Sequence, residues 1–150
     1  LGPALEMVET RASLRTILHY ETDIGHALSQ LNRVLASDFP EGMFVTLFAV
    51  KLDPVRRTMV YSSAGHQANI LFHSDEVSRL DSTGTVLGIF DGFPFETAAE
   101  IQLHPGDLIV LATDGIMEQS SAPNQNGDIE LFGWNRTMQS VREHRNLSAK

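Results

Sequence analysis

The chain has 150 residues, 42% hydrophobic and 20% charged, the balance of one globular domain rather than of a disordered segment. Nineteen acids against eleven Lys and Arg give a formal net charge of −8, which argues against binding a nucleic-acid backbone and suits attraction of divalent cations. Cysteine is absent, which excludes a disulfide frame, a thiolate metal site and a thiol nucleophile, and fits a reducing compartment such as the cytoplasm.

The opening "LGPALEMVET" has neither a basic n-region nor a long apolar core, so no signal peptide and no membrane insertion is expected in this segment. It lacks an initiator Met, and the chain is expected to be a piece of something longer. From Ala4 to about His19 the pattern predicts a helix. Leu5, Val8 and Ala12 share one face, Leu14, Ile17 and Leu18 extend the apolar surface, and Pro3 sits where a helix start tolerates proline. "ETDIGHALSQLNRVLASDFP" predicts a second helix, capped by Thr22 or Asp23 and stopped by Pro40. Its stripe of Ile24, Leu28, Leu31 and Leu35 recurs at four, three and four residues. These stripes read as core, with a partner-helix surface as the alternative.

The period then changes. "MFVTLFAVKL" is apolar on both faces and predicts a strand inside a sheet, covered above and below. "DPVRR" is a turn, and "TMVYSSAG" and "ANILFH" are strands broken at "GHQ", too closely spaced for crossover helices and therefore antiparallel. "EVSRLD" predicts a short edge strand, "STGTVLGIFDGFP" a loop, "FETAAEIQL" a strand, "PGD" a turn and "LIVLATD" a buried strand. "GIMEQS" begins a short helix, "SSAPNQNGD" is an exposed polar loop, and "FGWNRTMQSVREH" is a helix with Trp134, Met138 and Val141 on one face. Helices with hairpin-linked strands make an α+β chain.

The stretch "HPGDLIVLATDG", His104 to Gly115, carries the strongest chemical signal. A run of apolar residues delivers Asp114 to its tip, followed at once by Gly115. Asp and Gly there suit an ordinary turn or cap. They also suit a carboxylate held for a hard cation such as Mg²⁺ or Mn²⁺, with a glycine that permits a sharp exit and close approach. Glu118, four residues on, reads as a solvated acid. His66, in "SSAGHQAN", is either a structural histidine or a general base. His104, before Pro105, reads as loop. No zinc-protease, phosphate-loop or serine-hydrolase motif is present in the sequence.

"FVTLFAVKLD", "MVYSSAGHQANILF", "TGTVLGIF", "IQLHPGDLIVLATDGIMEQ" and "LFGWNRTMQSV" stand in the order and spacing of one family. The chain resembles the PPM-type (protein phosphatase 2C-like) metal-dependent serine/threonine phosphatases, in the bacterial branch named after the stage II sporulation E protein. The triple "AGH", "PGD" and "TDG" is the most specific element. The resemblance implies a four-layer αββα sandwich of two antiparallel sheets flanked by helices, with residues 1–150 as the core of one domain. It implies hydrolysis of phosphoserine or phosphothreonine by a water bridging two Mn²⁺ or Mg²⁺ ions. The implied substrate is a small phosphorylated anti-sigma-factor antagonist, whose dephosphorylation switches a sigma-factor circuit in the cytoplasm; a homodimer is left open. Asp114 matches the metal-holding acid of "TDG", Thr113 and Gly115 shape its turn, and Gly65 and His66 match "AGH" as structural support. The helices at 4–19 and 23–38 match a pair that moves to complete the metal site in some relatives. The family's first metal-binding motif would lie just before Leu1 and its last acidic motif beyond Lys150, so the fragment alone is expected to be inactive. Two alternatives stand beside this reading: a non-catalytic regulatory module of the same fold, and a metal hydrolase acting on small phosphate esters.

Overall fold

The stripe at four, three and four residues becomes the core of one folded unit in the computed structural model, which describes residues 2–67, 69–74, 76–121 and 129–147. Two compact units are formed, Leu1–Gln67 with Leu80–Asp107 and Ala68–Arg79 with Leu108–Lys150.

The first unit packs α1 (Gly2–Ile17) and α2 (Ile24–Asp38) with the antiparallel strands β1 (Leu47–Asp53), β2 (Thr58–Ala64) and β5 (Ile101–Gln102), in the order β1-β2-β5. Ile24, Leu28, Leu31 and Leu35 are buried together with Ala64, Leu87 and Phe95. Asp23, rather than Thr22, caps α2: its Oδ1 accepts the His26 backbone N–H at 2.8 Å. That bond, opposed by partial burial and helped by the Thr97 hydroxyl, holds the Asp23 carboxyl below its ordinary value.

Three polar anchors fix α2 to the segment that precedes β5. Thr97 Oγ1 accepts from the Gly25 N–H at 2.8 Å and donates to Asp23 Oδ1 at 3.0 Å. Ser29 Oγ accepts from the Phe95 N–H at 2.8 Å. Asn32, fully buried, donates to the Phe90 carbonyl at 2.7 Å and accepts from the Gly88 N–H at 2.9 Å. Gly25 is required at its position, because a Cβ there would stand 2.6 Å from the Thr97 backbone nitrogen.

The second unit holds β3 (Asn69–His73), β4 (Glu76–Arg79) and β6 (Leu108–Leu111), antiparallel in the order β4-β3-β6, with α3 (Asp114–Met117) and α4 (Gly133–His144). Met138 on α4 packs on Ile70 and Phe72, and Val77, Leu108, Val110, Trp134 and Val141 close around them.

Four expectations are corrected. β1 is an edge strand, half-buried and ending with Lys51 and Leu52 exposed, not a covered interior strand. β6 is likewise half-buried at a sheet edge among the described residues, with Leu111 49% exposed. An apolar run reads the same whether one face or both are covered. The strand expected over 95–103 shortens to β5: at its start the Phe95 N–H bonds to Ser29 Oγ of α2, while the Ala98 N–H still reaches the Tyr61 carbonyl of β2 at 2.7 Å. Leu5 and Val8, expected on the packing face of α1, are each 66% exposed, and it is Leu14 and Ile17 that reach the core. The polar stretch 120–128 falls largely on residues 122–128, outside the described residues.

Asn32→Ala empties a fully buried position and removes the partner of the Gly88 N–H and the Phe90 carbonyl, a loss of about 2 kcal/mol. The thermal midpoint is expected to fall by roughly 4–8 °C, measured by calorimetry.

Candidate functional site

The candidate site begins with strand register. β6 pairs with β3 through Phe72↔Leu108, Ile70↔Val110 and Asn69↔Leu111, which stretches the chain toward the sheet end. Ala112 is buried, and Thr113 is still extended (φ −91°, ψ 161°) as the N-cap of α3. Asp114 opens the helix, and its carbonyl accepts the Glu118 N–H at 2.8 Å. The first turn therefore directs the Asp114 side chain off the end of the strand, where it is exposed. No described residue donates a hydrogen bond to this carboxylate, and the Thr113 hydroxyl makes no capping bond.

Gly115 has helical backbone, so the exit from β6 is a helical turn that needs no left-handed residue. A Cβ at Gly115 would meet only Thr113 Oγ1, at an ordinary 3.6 Å. What the missing side chain provides is open space beside the acid. Behind the turn the chain is tied down: Ser121 N–H reaches the Glu130 carbonyl and Phe132 N–H the Gln119 carbonyl, each at 2.8 Å. Glu118 is exposed at the end of α3.

Gly65 and His66 lie in the first unit, at the end of β2. Gly65 is left-handed (φ +67°), and a Cβ there would stand 2.6 Å from Val86 Cγ1. Its N–H donates to Ser82 Oγ at 2.9 Å, and the His66 carbonyl accepts from Ser63 Oγ at 3.1 Å. Sequence reasoning overlooked the hydroxyl cluster that holds this corner. Thr83 Oγ1 accepts the Ser63 N–H at 2.9 Å and lies 3.1 Å from Ser62 Oγ, with both serines fully buried. The available signal was the pairing of "SS" before "AG" with "ST" before "G". Nearby, burial and the Asp81 charge push the Tyr61 hydroxyl above its ordinary value.

The structure makes one turn of Thr113, Asp114 and Gly115 in the second unit, and one corner of Gly65 and His66 in the first. The turn offers an accessible hard-oxygen donor that no other described residue engages, the kind of carboxylate that Mg²⁺ and Mn²⁺ take. A single carboxylate of this kind suits an ion that keeps several of its waters. Among the described residues no helix is long and apolar enough to cross a membrane.

Solved structures share this arrangement of elements. The SiaA-PP2C domain of Pseudomonas aeruginosa matches with a TM-score of 0.75 at 22% identity, over 95% of this chain and 54% of that one. The PP2C phosphatase domain of SpoIIE from Bacillus subtilis, solved with a fragment of its regulatory domain, matches with a TM-score of 0.69 at 23% identity, over 97% and 40%. The fold is therefore that of PP2C phosphatase domains, mixed helix with two antiparallel sheets. The model of the stage II sporulation protein E (SpoIIE) family matches residues 1–150, and the chain belongs to that family, as its motifs lead one to expect. It is also similar to the phosphoserine phosphatase RsbU of Bacillus subtilis (strain 168), with 30% identity over 105 residues, 69% of this chain. The chain spans 30% of the length of RsbU.

Gly65→Ala combines a left-handed backbone with a clash and is expected to destabilise by about 2–3 kcal/mol. Adding Val86→Ala relieves the clash but not the backbone strain, so urea midpoints should show partial recovery in the double variant.

Proposed function

We propose that residues 1–150 form the core of one PPM-type phosphatase domain that hydrolyses phosphoserine or phosphothreonine on a regulatory protein in the cytoplasm. The substrate class we assign is a phosphorylated anti-sigma-factor antagonist. Membership of the SpoIIE family over residues 1–150 and the similarity to phosphoserine phosphatase RsbU support this reading. The single observation that carries it is the exposed Asp114 carboxylate at the exit of β6, which no described residue engages.

Asp114 would hold one of two Mn²⁺ or Mg²⁺ ions. Such a pair, when bound, supplies a water of lowered pKa and positive charge against the transferring phosphoryl group. The chain's own residues do the positioning. The paired strand β6 stiffens the approach, extended Thr113 aims the acid past the strand end, and Gly115 leaves its flank open to a phosphoryl oxygen. Gly65 and His66 serve as structural support, by fixing the end of β2. The net charge of −8 would concentrate divalent cations around the domain. A second reading, a non-catalytic binding module of the same fold, is favoured by the single carboxylate that this turn offers.

The test is Mn²⁺-dependent turnover of a phosphoserine peptide and of a small aryl phosphate by the full-length protein. Phosphopeptide selectivity is expected. Asp114→Asn should lower kcat/KM by at least about 100-fold. Its thermal midpoint without metal should stay unchanged, since no described residue bonds to that exposed carboxylate. Phosphopeptide binding without turnover by the wild type would favour the binding module, and preference for the aryl ester would favour a small-ester hydrolase.

A further inference from the structure

The second unit carries a basic groove that the phosphatase reading does not use. It lies between β4 and α4 and has a volume of about 740 Å³. Val77 and Met138 form its apolar floor. Val77 and Arg79, two apart on β4, share one sheet face, while Asn135, Gln139 and Arg142 line one face of α4.

The charges in this unit are distributed unevenly. Arg136 is ion-paired with Glu130 at 2.6 Å, and Arg145 donates to the Ser74 carbonyl. Arg79 and Arg142, the two arginines of the groove, have no ion-pair partner among the described residues. The one acid in the lining, Glu143, accepts the Gln139 side-chain amide at 2.8 Å. Arg79 is already oriented: its guanidinium carbon sits 4.3 Å from the centre of the Trp134 ring. So a chain of net charge −8 holds two unmatched guanidinium groups over an apolar floor. Beside them, β4 is an edge strand whose outer backbone groups pair with no described residue.

We propose that this groove docks an extended acidic peptide segment of the protein partner, a reading that rests on the phosphatase assignment only for the partner's identity. A strand laid along β4 would satisfy the open edge through its main chain, and its alternate side chains would fall on one face. Carboxylates or phosphates on that face would meet Arg79 and Arg142, which suit bidentate oxyanion recognition. Apolar residues there would meet Val77 and Met138. The site selects partners by acidity and extended shape, away from the bond that is cleaved.

Trp134 is the chain's one tryptophan, so its emission reports on the groove without a label. The probe is an acetylated octapeptide alternating Val and Glu, titrated into the full chain, with its Val–Gln counterpart as control. A saturable change in Trp134 emission is expected with the Glu peptide and none with the Gln peptide. Arg142→Gln, an exposed change, should keep the thermal midpoint and weaken binding about tenfold. Arg79→Gln should do the same, with partial recovery in Arg79→Lys, which retains the charge but not the fork. Asp114→Asn should bind the peptide as the wild type does, so failure of the phosphatase reading and failure of this one give different results. Equal binding of both peptides, or full affinity in the double variant R79Q/R142Q, would overturn the proposal, as would no emission change at all.

Discussion

The antiparallel pairing of β6 on β3 is the constraint from which the candidate chemistry follows. Leu108 and Val110 stand opposite Phe72 and Ile70, and these side chains close around Met138 of α4. A slip of one residue would turn Ile109 and Leu111 toward α4 and shift the exit of the strand by about 3.3 Å. The same apolar set that fills the core of this unit therefore fixes the position of an acid four residues past Val110. Asp114 contributes little to folding, which leaves its carboxylate available to a ligand.

The first unit is held by a different kind of restraint. Its apolar core is conventional, but α2 is also bonded through Asp23, Gly25, Ser29 and Asn32 to a segment far away in sequence. Helix and segment are thereby bound to move together. The same logic operates at the Gly65 corner, where the Thr83 and Ser82 hydroxyls accept the Ser63 and Gly65 N–H groups. In both places polar side chains satisfy backbone groups that the helices and strands leave without a partner.

Much of this was legible from pattern. The α2 stripe, the cap before it, the turn after β1 and the amphipathic α4 each depend on neighbours within a few residues, so local spacing reveals them. The burial of β1 and β6 was not legible, since an apolar strand at a sheet edge looks like one in the middle. The hold of α2 on the start of that stretch was hidden because Ser29, which takes the Phe95 N–H, is 66 residues distant. Asn32 was visible in principle: a polar residue between Leu28 and Leu35 on a buried stripe needs partners. Asp114 stood out through its strand and its motif. The Arg79–Arg142 groove did not, because an edge strand and a late helix build it jointly. The proposed division of labour follows from that layout, with an acid at the strand exit for chemistry and a basic groove elsewhere in the same unit for holding the partner.

The role of Asp114 as a metal ligand can be read directly by nuclear magnetic resonance, with substoichiometric Mn²⁺ broadening backbone amide signals in the protein. The amides of Thr113, Asp114 and Gly115 should be among the first to vanish, and should persist at the same Mn²⁺ level in Asp114→Asn. Broadening centred on other residues while those three signals stay sharp would contradict the account.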